Sequence, residues 1–294
     1  MDVLNNILVI GAIFVDVIID VPQLPLAGAD VSGHLATTSI GGCAYNVYLA
    51  GVTQHAAITL LAPIGQGPYA DKVRQDFKQR QIPLLCQPTT ADNGWDLCLV
   101  QPDGERAFVT MTGIEQHWQA EWFQELTMAH YHYCYLSGYE LENAAAADVI
   151  LTALTQLPAD HVLLFDASPR VQYLQPSILA RLLQPHTLIH CNRDELAYLS
   201  SATQFDAQLV DIFQRTQTPV VVTDGANGTY IFDQTGKRHL PSAVVPVVNT
   251  IGAGDTHCAG VLTGLQRGWS IDAAVVFGNQ LAAQVVQQTS GHLS

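Results

Sequence analysis

The chain has 294 residues, with 12 lysines and arginines against 26 aspartates and glutamates, a formal charge of −14 with histidine neutral. It lacks the basic patch needed to track phosphates along a nucleic acid, and its negative field disfavours anionic lipid surfaces, so neither nucleic acid nor membrane is expected as a partner. With 48% hydrophobic residues, disorder is excluded as well, and the length suits two units or one large layered α/β domain.

Residues 1–6 carry no basic region, the apolar run 7–21 is broken by Asp16 and Asp20, and no later stretch supplies about 18 uninterrupted apolar residues. A cytoplasmic protein is expected. The six cysteines, at 43, 86, 98, 134, 191 and 258, include no CxxC, a pattern of reduced core thiols rather than of a zinc knuckle or disulfide frame.

In chain order, the apolar and polar patterns predict a strand over 7–14, an extended segment over 30–40, a helix over 43–53, a strand over 57–64 and a helix over 68–80. Strands over 96–101 and 105–111 flank the turn Pro102-Asp103-Gly104. Next come a helix over 119–128, a strand over 131–137, a helix over 143–156, a strand over 161–166, a helix over 176–183 and a strand over 186–191. Helices over 193–200 and 206–216, strands over 219–223 and 229–233, and a strand-like run over 244–248 follow. Helices over 255–267 and 271–288 end the chain, joined by Arg267-Gly268-Trp269-Ser270, a C-terminal glycine followed by a serine cap.

This alternation argues for βαβ units and a largely parallel sheet covered on both faces. The 96–111 hairpin and the 30–40 segment pair either as a small sheet projecting from the main one or as edge strands of it.

The segment Thr250-Ile251-Gly252-Ala253-Gly254-Asp255 opens a helix. Its glycines let backbone N–H groups converge on an anion where the helix start adds positive dipole density. Asp255 in that first turn is either a cap or an acceptor for a hydroxyl proton beside a transferring phosphoryl group. Thr223-Asp224-Gly225-Ala226-Asn227-Gly228 is a turn or a ligand loop, and Asp16 and Asn46 suit a polyhydroxylated ligand. No GxxxxGK[ST] is present, and no GxGxxG follows the first strand, which speaks against an ordinary P-loop protein and a Rossmann dinucleotide enzyme.

Four motifs in order, Gly41-Gly42 with Asn46, Asn192-x-x-Glu195, Thr223-x-Gly225-x-x-Gly228 and Gly252-Ala253-Gly254-Asp255, resemble those of the ribokinase-like, PfkB-type carbohydrate kinases. The resemblance covers nearly the whole chain. It implies a single ribokinase-like domain over 1–294, a Rossmann-like α/β/α sandwich with a small discontinuous β-sheet lid formed near 12–40 and 95–112. The implied activity is ATP-dependent phosphorylation of an alcohol on a small sugar or sugar-like substrate. A nucleoside kinase is the neighbouring alternative, and a catalytically silent small-ligand protein on the same scaffold is an alternative of another class.

By the same resemblance Asp255 is the base, and Gly252, Ala253 and Gly254 form the anion hole. Asn192, Glu195, Thr223, Gly225, Gly228 and Asn279 lie on the ATP side, with Glu195 holding Mg²⁺ through water, while Asn192 with its acidic first turn also suits a helix cap and Asn279 equally suits the polar face of its helix. Asp16, Gly42 and Asn46 bind acceptor hydroxyls, and Phe108 and Thr110 face the acceptor from the lid, where Phe108 equally suits packing within a lid or against a partner's lid in a homodimer. Either Glu140 or Glu142, or neither, touches the substrate.

Asn249 stands where many relatives carry an aspartate. A monovalent cation, an implied cofactor of some members, is left there with backbone and amide oxygens. Cys43 and Tyr45 differ from the ribokinase version of the first motif, which argues against ribose. His257 reads as a structural or exposed histidine, and no HxH or HExxH spacing supports a histidine-held metal.

Overall fold

The computed structural model describes residues 6–88, 90–103 and 105–293, so Gly104 of the expected turn lies outside the described residues. The first half holds β1 (Asn6–Ile10), β2 (Phe14–Asp20), β3 (His34–Gly41), α1 (Cys43–Thr53), β4 (Ile58–Leu61), α2 (Pro68–Arg80), β5 (Trp95–Val100), β6 (Arg106–Met111) and β7 (Tyr131–Ser137). The chain continues through α3 (Ala144–Leu154), β8 (Val162–Asp166), α4 (Pro176–Leu182), β9 (Thr187–Asn192), α5 (Arg193–Leu199) and α6 (Phe205–Thr216). It closes with β10 (Val220–Thr223), β11 (Thr229–Asp233), β12 (Gly236–Leu240), α7 (Ala253–Gln266) and α8 (Ile271–Val285).

Two compact units result. The first comprises Met1–Gly11, Cys43–Leu61 and Trp118–Ser294, the second Ala12–Gly42 and Ala62–His117.

The first unit is built on an eight-stranded sheet in the order β12-β11-β10-β9-β8-β7-β1-β4. From β4 to β10 every pairing is parallel, and β11 and β12 extend the sheet antiparallel. The central strands are continuous apolar runs. Ile7, Leu8, Val9 and Ile10 of β1 are all fully buried, as expected of parallel strands covered on both faces. Helix ends follow local chemistry. Asn143 Oδ1 accepts from the Ala145 and Ala146 amides at 3.0 and 3.2 Å to start α3, and Ser270 Oγ accepts from Ala273 at 3.3 Å to start α8 after Gly268 at φ 75°.

The second unit carries a separate four-stranded sheet in the order β3-β2-β5-β6. The hairpin β5–β6 and the pair β2–β3 are antiparallel, and β2 pairs with β5 in parallel. Of the two arrangements the sequence left open, the separate sheet is the one formed.

Four elements differ from the sequence pattern. The strand expected over 7–14 ends at Ile10, and a new strand, β2, begins at Phe14 in the other sheet. An unbroken apolar run hides this change of sheet. The helix expected over 119–128 is instead two short 3₁₀ turns, Ala120–Phe123 and Met128–His130, where Trp118 packs tilted against Trp122 and Phe123 with centroids 5.5 and 5.8 Å apart. Residues 244–248 are valine-rich but irregular, with Val244 92% exposed. Conversely β12, reading GKRHL, is a polar strand that pairs, among the described residues, with β11 alone, an edge with no hydrophobic alternation to signal it.

Candidate active site

The glycine-rich segment resolves into a left-handed residue followed by a helix. Gly252 caps α7 at φ 75°, and a Cβ placed there would fall 1.7 Å from the Gly291 carbonyl oxygen. Only glycine meets both demands. Ala253 N–H donates to Thr250 O at 3.3 Å and Thr256 N–H to Gly252 O at 2.8 Å. Between them, the amides of Gly254 and Asp255 belong to the first turn, where helix geometry supplies no intrahelical acceptor. A Cβ on Gly254 would meet nothing within 4 Å, so the space in front of that turn is open.

Asp255 is 8% exposed and does not cap the helix. Its Oδ2 accepts a 2.8 Å hydrogen bond from Asn46 Nδ2 of α1, and Cys43, one turn earlier on α1, adds a thiol contact. Burial pushes the Asp255 carboxyl up to about 7, Asn46 and Cys43 pull it down, and the Asp166 charge raises it. The Cys43 thiol is driven well above its ordinary value by burial and then by the Asp255 charge. Asn46 is 5% exposed, and its Oδ1 is buried with no hydrogen-bond partner among the described residues. A carboxylate near neutrality beside an unused buried acceptor can take a proton from a hydroxyl held between them.

Asn192 and Glu195 form a capping box at the start of α5. Asn192 Oδ1 accepts from the Glu195 amide at 2.8 Å, and Glu195 Oε2 accepts from the Asn192 amide at 2.9 Å. Glu195 is raised by burial and by the Asp166 charge, against its bond to Asn192. A divalent cation relieves that repulsion, and hard carboxylate oxygen is the donor it takes, so the residues fit Mg²⁺.

Thr223 ends β10 with Oγ1 3.4 Å from Cys191 O, and Gly225 and Gly228 sit at φ 55° and 107° in the turn that follows. Asn279 of α8 is buried, its Oδ1 accepting from Thr229 Oγ1 at 2.7 Å. It is therefore not on the polar face of α8. Asn249 spends its amide locally, Oδ1 on the Ile251 amide at 3.0 Å and Nδ2 on Thr289 O at 3.1 Å, which shapes the loop before Gly252.

In the second unit, strand register lines up Ser39, Asp16, Asp96 and Thr110 across one face of the sheet. Burial and the neighbouring Asp96 push Asp16 up to about 7, and Asp96 Oδ1 is buried without a hydrogen-bond partner among the described residues. Phe108, two residues before Thr110 on β6, is 52% exposed. Gly42 takes φ 106°, and a Cβ there would lie 2.7 Å from Ala12 O. Glu142 pairs with Arg170, Nε to Oε2 at 2.7 Å, whereas Glu140 is buried, and a Cβ on Gly11 would lie 2.8 Å from its Oε1.

Sequence reasoning missed Asp96, Asp166 and His190. Asp96 is visible only once β2 and β5 are paired in register. Asp166 and His190 end or interrupt apolar strands, a signal present in the sequence, but no spacing links them to each other or to His257. The expected structural role of His257 matches its position, 2% exposed and 2.9 Å from His190.

The family described as pfkB family carbohydrate kinase matches residues 4–294. Among curated proteins, the "Uncharacterized sugar kinase YegV" of Escherichia coli strain K12 is 32% identical over 98% of this chain and 90% of its own. Among solved structures, a ribokinase from Thermotoga maritima superposes with a TM-score of 0.83 at 18% identity, covering 97% of this chain and 94% of the other. A fructokinase with bound ATP from Xylella fastidiosa gives 0.81 at 20% identity, covering 98% and 94%. These likenesses carry the ribokinase fold, and with the family match over nearly every residue they establish that this chain belongs to the pfkB family of carbohydrate kinases.

Proposed function

We propose that the protein transfers the γ-phosphoryl group of ATP to an alcohol of a small sugar or sugar-like acceptor, with Asp255 as the general base and residues 252–254 as the anion hole. The observation that carries this reading is the Asn46–Asp255 pair at the start of α7, a 2.8 Å hydrogen bond beside an unpartnered buried Asn46 Oδ1. Asn46 Oδ1 accepts from one acceptor hydroxyl and so orients the substrate. Asp255 takes the proton of the attacking hydroxyl as its oxygen bonds to the γ-phosphorus, and the bond from that phosphorus to the β-bridging oxygen breaks to leave ADP. The first-turn amides of α7 hold the negative charge on the transferring group.

Asp16, Gly42 and Thr110 are the further acceptor contacts on this reading, with Phe108 at their edge. Thr223, Gly225, Gly228, Asn192 and Asn279 serve the nucleotide, which the fructokinase relative binds as ATP. Glu195 would hold Mg²⁺ through water. When bound, Mg²⁺ supplies neutralisation of phosphate charge.

The test is ATP-dependent product formation across a mass-resolved panel of pentoses, hexoses, sugar phosphates and nucleosides, wild type against Asp255→Asn. Sugar phosphate formed by wild type and reduced in the variant by about 10² to 10⁴-fold supports the reading. Turnover confined to nucleosides moves the acceptor class. ATP binding without any product sinks the assigned chemistry.

A further inference from the structure

One group of buried polar side chains in the first unit enters the reading above only at its end, Asn279. Tyr135 of β7, Asp166 of β8, His190 of β9, His257 of α7, Thr229 of β11 and Asn279 of α8 form one unbroken hydrogen-bonded line through the core. Their direction follows from donor counting.

The Asn279 Nδ2 faces the Leu240 carbonyl at 3.4 Å, so its Oδ1 faces Thr229 Oγ1 at 2.7 Å. A carboxamide oxygen only accepts, and Thr229 spends its single hydrogen there. His257 Nε2, 3.4 Å from the same Oγ1, must then be the donor. Burial keeps His257 neutral by pushing its pKa well down, which leaves its Nδ1 bare. That nitrogen lies 2.9 Å from His190 Nε2, so His190 donates to it. At the other edge of the ring, His190 Nδ1 is 2.9 Å from Asp166 Oδ1, the geometry of an imidazole–carboxylate pair, and Tyr135 donates its hydroxyl to Asp166 Oδ2 at 3.2 Å. Both nitrogens of His190 therefore carry hydrogen.

We propose that His190 is a positioning residue for the nucleotide side of the site: a buried imidazolium paired with Asp166 that, through His257 and Thr229, fixes the orientation of the Asn279 amide. The inference rests on the reading above that Asn279 serves the nucleotide.

The surroundings need such a charge. The titratable groups around the pair include Tyr135 of β7, Tyr139 in the turn after it, Cys191 of β9, Cys43 of α1, Glu195 of α5, and Asp255, His257 and Cys258 of α7, the last with its Sγ 3.2 Å from His190 Nδ1. Three carboxylates, Asp166, Asp255 and Glu195, stand among them. A buried carboxylate without a compensating charge is costly.

The experiment is ¹⁵N NMR of the whole protein labelled at the histidine imidazoles, recorded at pH 7.5. One histidine with both nitrogens protonated, its signals lost in His190→Asn, together with a second carrying hydrogen on Nε2 alone, is the expected result. A bare nitrogen on His190 overturns the proposal. MgADP titration calorimetry supplies the second arm and needs no turnover. Thr229→Val removes the hydroxyl that donates to Asn279 Oδ1 and should weaken MgADP about tenfold, equivalent to 1.4 kcal/mol, whereas Thr229→Ser restores wild-type affinity. Equal affinity in the two variants, or no MgADP binding by wild type, removes the nucleotide role. Failure of the kinase reading itself appears separately, as wild type that binds MgADP but makes no product.

Discussion

Asn46 and Asp255 are 209 positions apart in the chain and 2.8 Å apart in the fold, amide nitrogen to carboxylate oxygen. The bond opposes the burial that pushes Asp255 up to about 7. A base must be ionised to work, so phosphorylation should rise with pH through about 7. Removing the amide in Asn46→Ala should move that acid limb upward by about one pH unit, the scale of a lost hydrogen bond to a charged group. The pH dependence of kcat/KM for both proteins checks this, and an unmoved limb would mean that Asp255 is not the group titrating.

The same carboxylate makes a prediction about stability. Its folded value near 7 exceeds the reference value of 3.8, so between those two pH values the folded protein binds the extra proton. Stability therefore falls as pH rises through that window and levels off above 7. Asp255→Asn keeps an oxygen to accept from Asn46 but carries no charge. At pH 8 it should be the more stable protein, by on the order of 3 kcal/mol, and the advantage should vanish near pH 4. Thermal melts of both proteins at pH 4.5, 6 and 8 give the comparison.

The two glycines flanking Ala253 should respond in opposite ways. Alanine at 252 brings a Cβ to 1.7 Å from the Gly291 carbonyl in a left-handed conformation, so Gly252→Ala should lose about 3 kcal/mol of stability. Gly254 lies in regular helix with open space before it. Gly254→Ala should fold as well as wild type, gaining up to about 1 kcal/mol of helix propensity, while on the proposed mechanism the added methyl intrudes on the anion hole and lowers kcat. Denaturant melts paired with initial rates separate these outcomes.

Glu195 caps α5, and the proposed cation role can be told apart from that cap. Glu195→Gln keeps an oxygen for the Asn192 amide and removes the charge. Melting should change by less than about 0.5 kcal/mol, as for other conservative changes that keep their bonds, while the Mg²⁺ concentration for half-maximal rate should rise several-fold. A variant that melts early with an unchanged Mg²⁺ requirement would assign Glu195 to capping alone.

The row Ser39, Asp16, Asp96 and Thr110 predicts a split in kinetic constants. Asp16→Asn should raise the acceptor KM by roughly thirtyfold, about 2 kcal/mol for a hydrogen bond to a charged group, and leave the ATP KM within about twofold, since the proposed function assigns the two ligands to different residues. Steady-state kinetics with each substrate varied in turn would show it. Equal changes in both constants would exclude an acceptor-specific role.

The sequence carried the parts of this fold whose signals are local. Alternating strands and helices, the Ser270 and Asn192 caps and the glycines of the α7 start are each legible within a few residues. The break between β1 and β2 is not, because both strands are apolar and their assignment to different sheets depends on distant partners. The strand β12 failed for the reverse reason, being set by pairing with β11 rather than by its own pattern. At the site, Asp255 and Asn46 were named from motifs, but their bond, the unused Asn46 oxygen and the raised carboxyl are products of burial. The Asp96 neighbour of Asp16 exists only through the register of β2 on β5.

That β2–β5 pairing also sets an order of events during synthesis. The second unit is assembled from two separate stretches, Ala12–Gly42 and Ala62–His117, and its sheet has β2 and β5 side by side at the centre. As the chain leaves the ribosome, β2 and β3 can meet at once, but the edge of β2 that β5 will occupy stays unpaired until residue 100 has emerged. Over that interval it is an open strand edge, the kind of surface on which nascent chains associate wrongly. No single cut can release this unit as a contiguous fragment, and a chain truncated before residue 95 would expose the edge of β2 permanently.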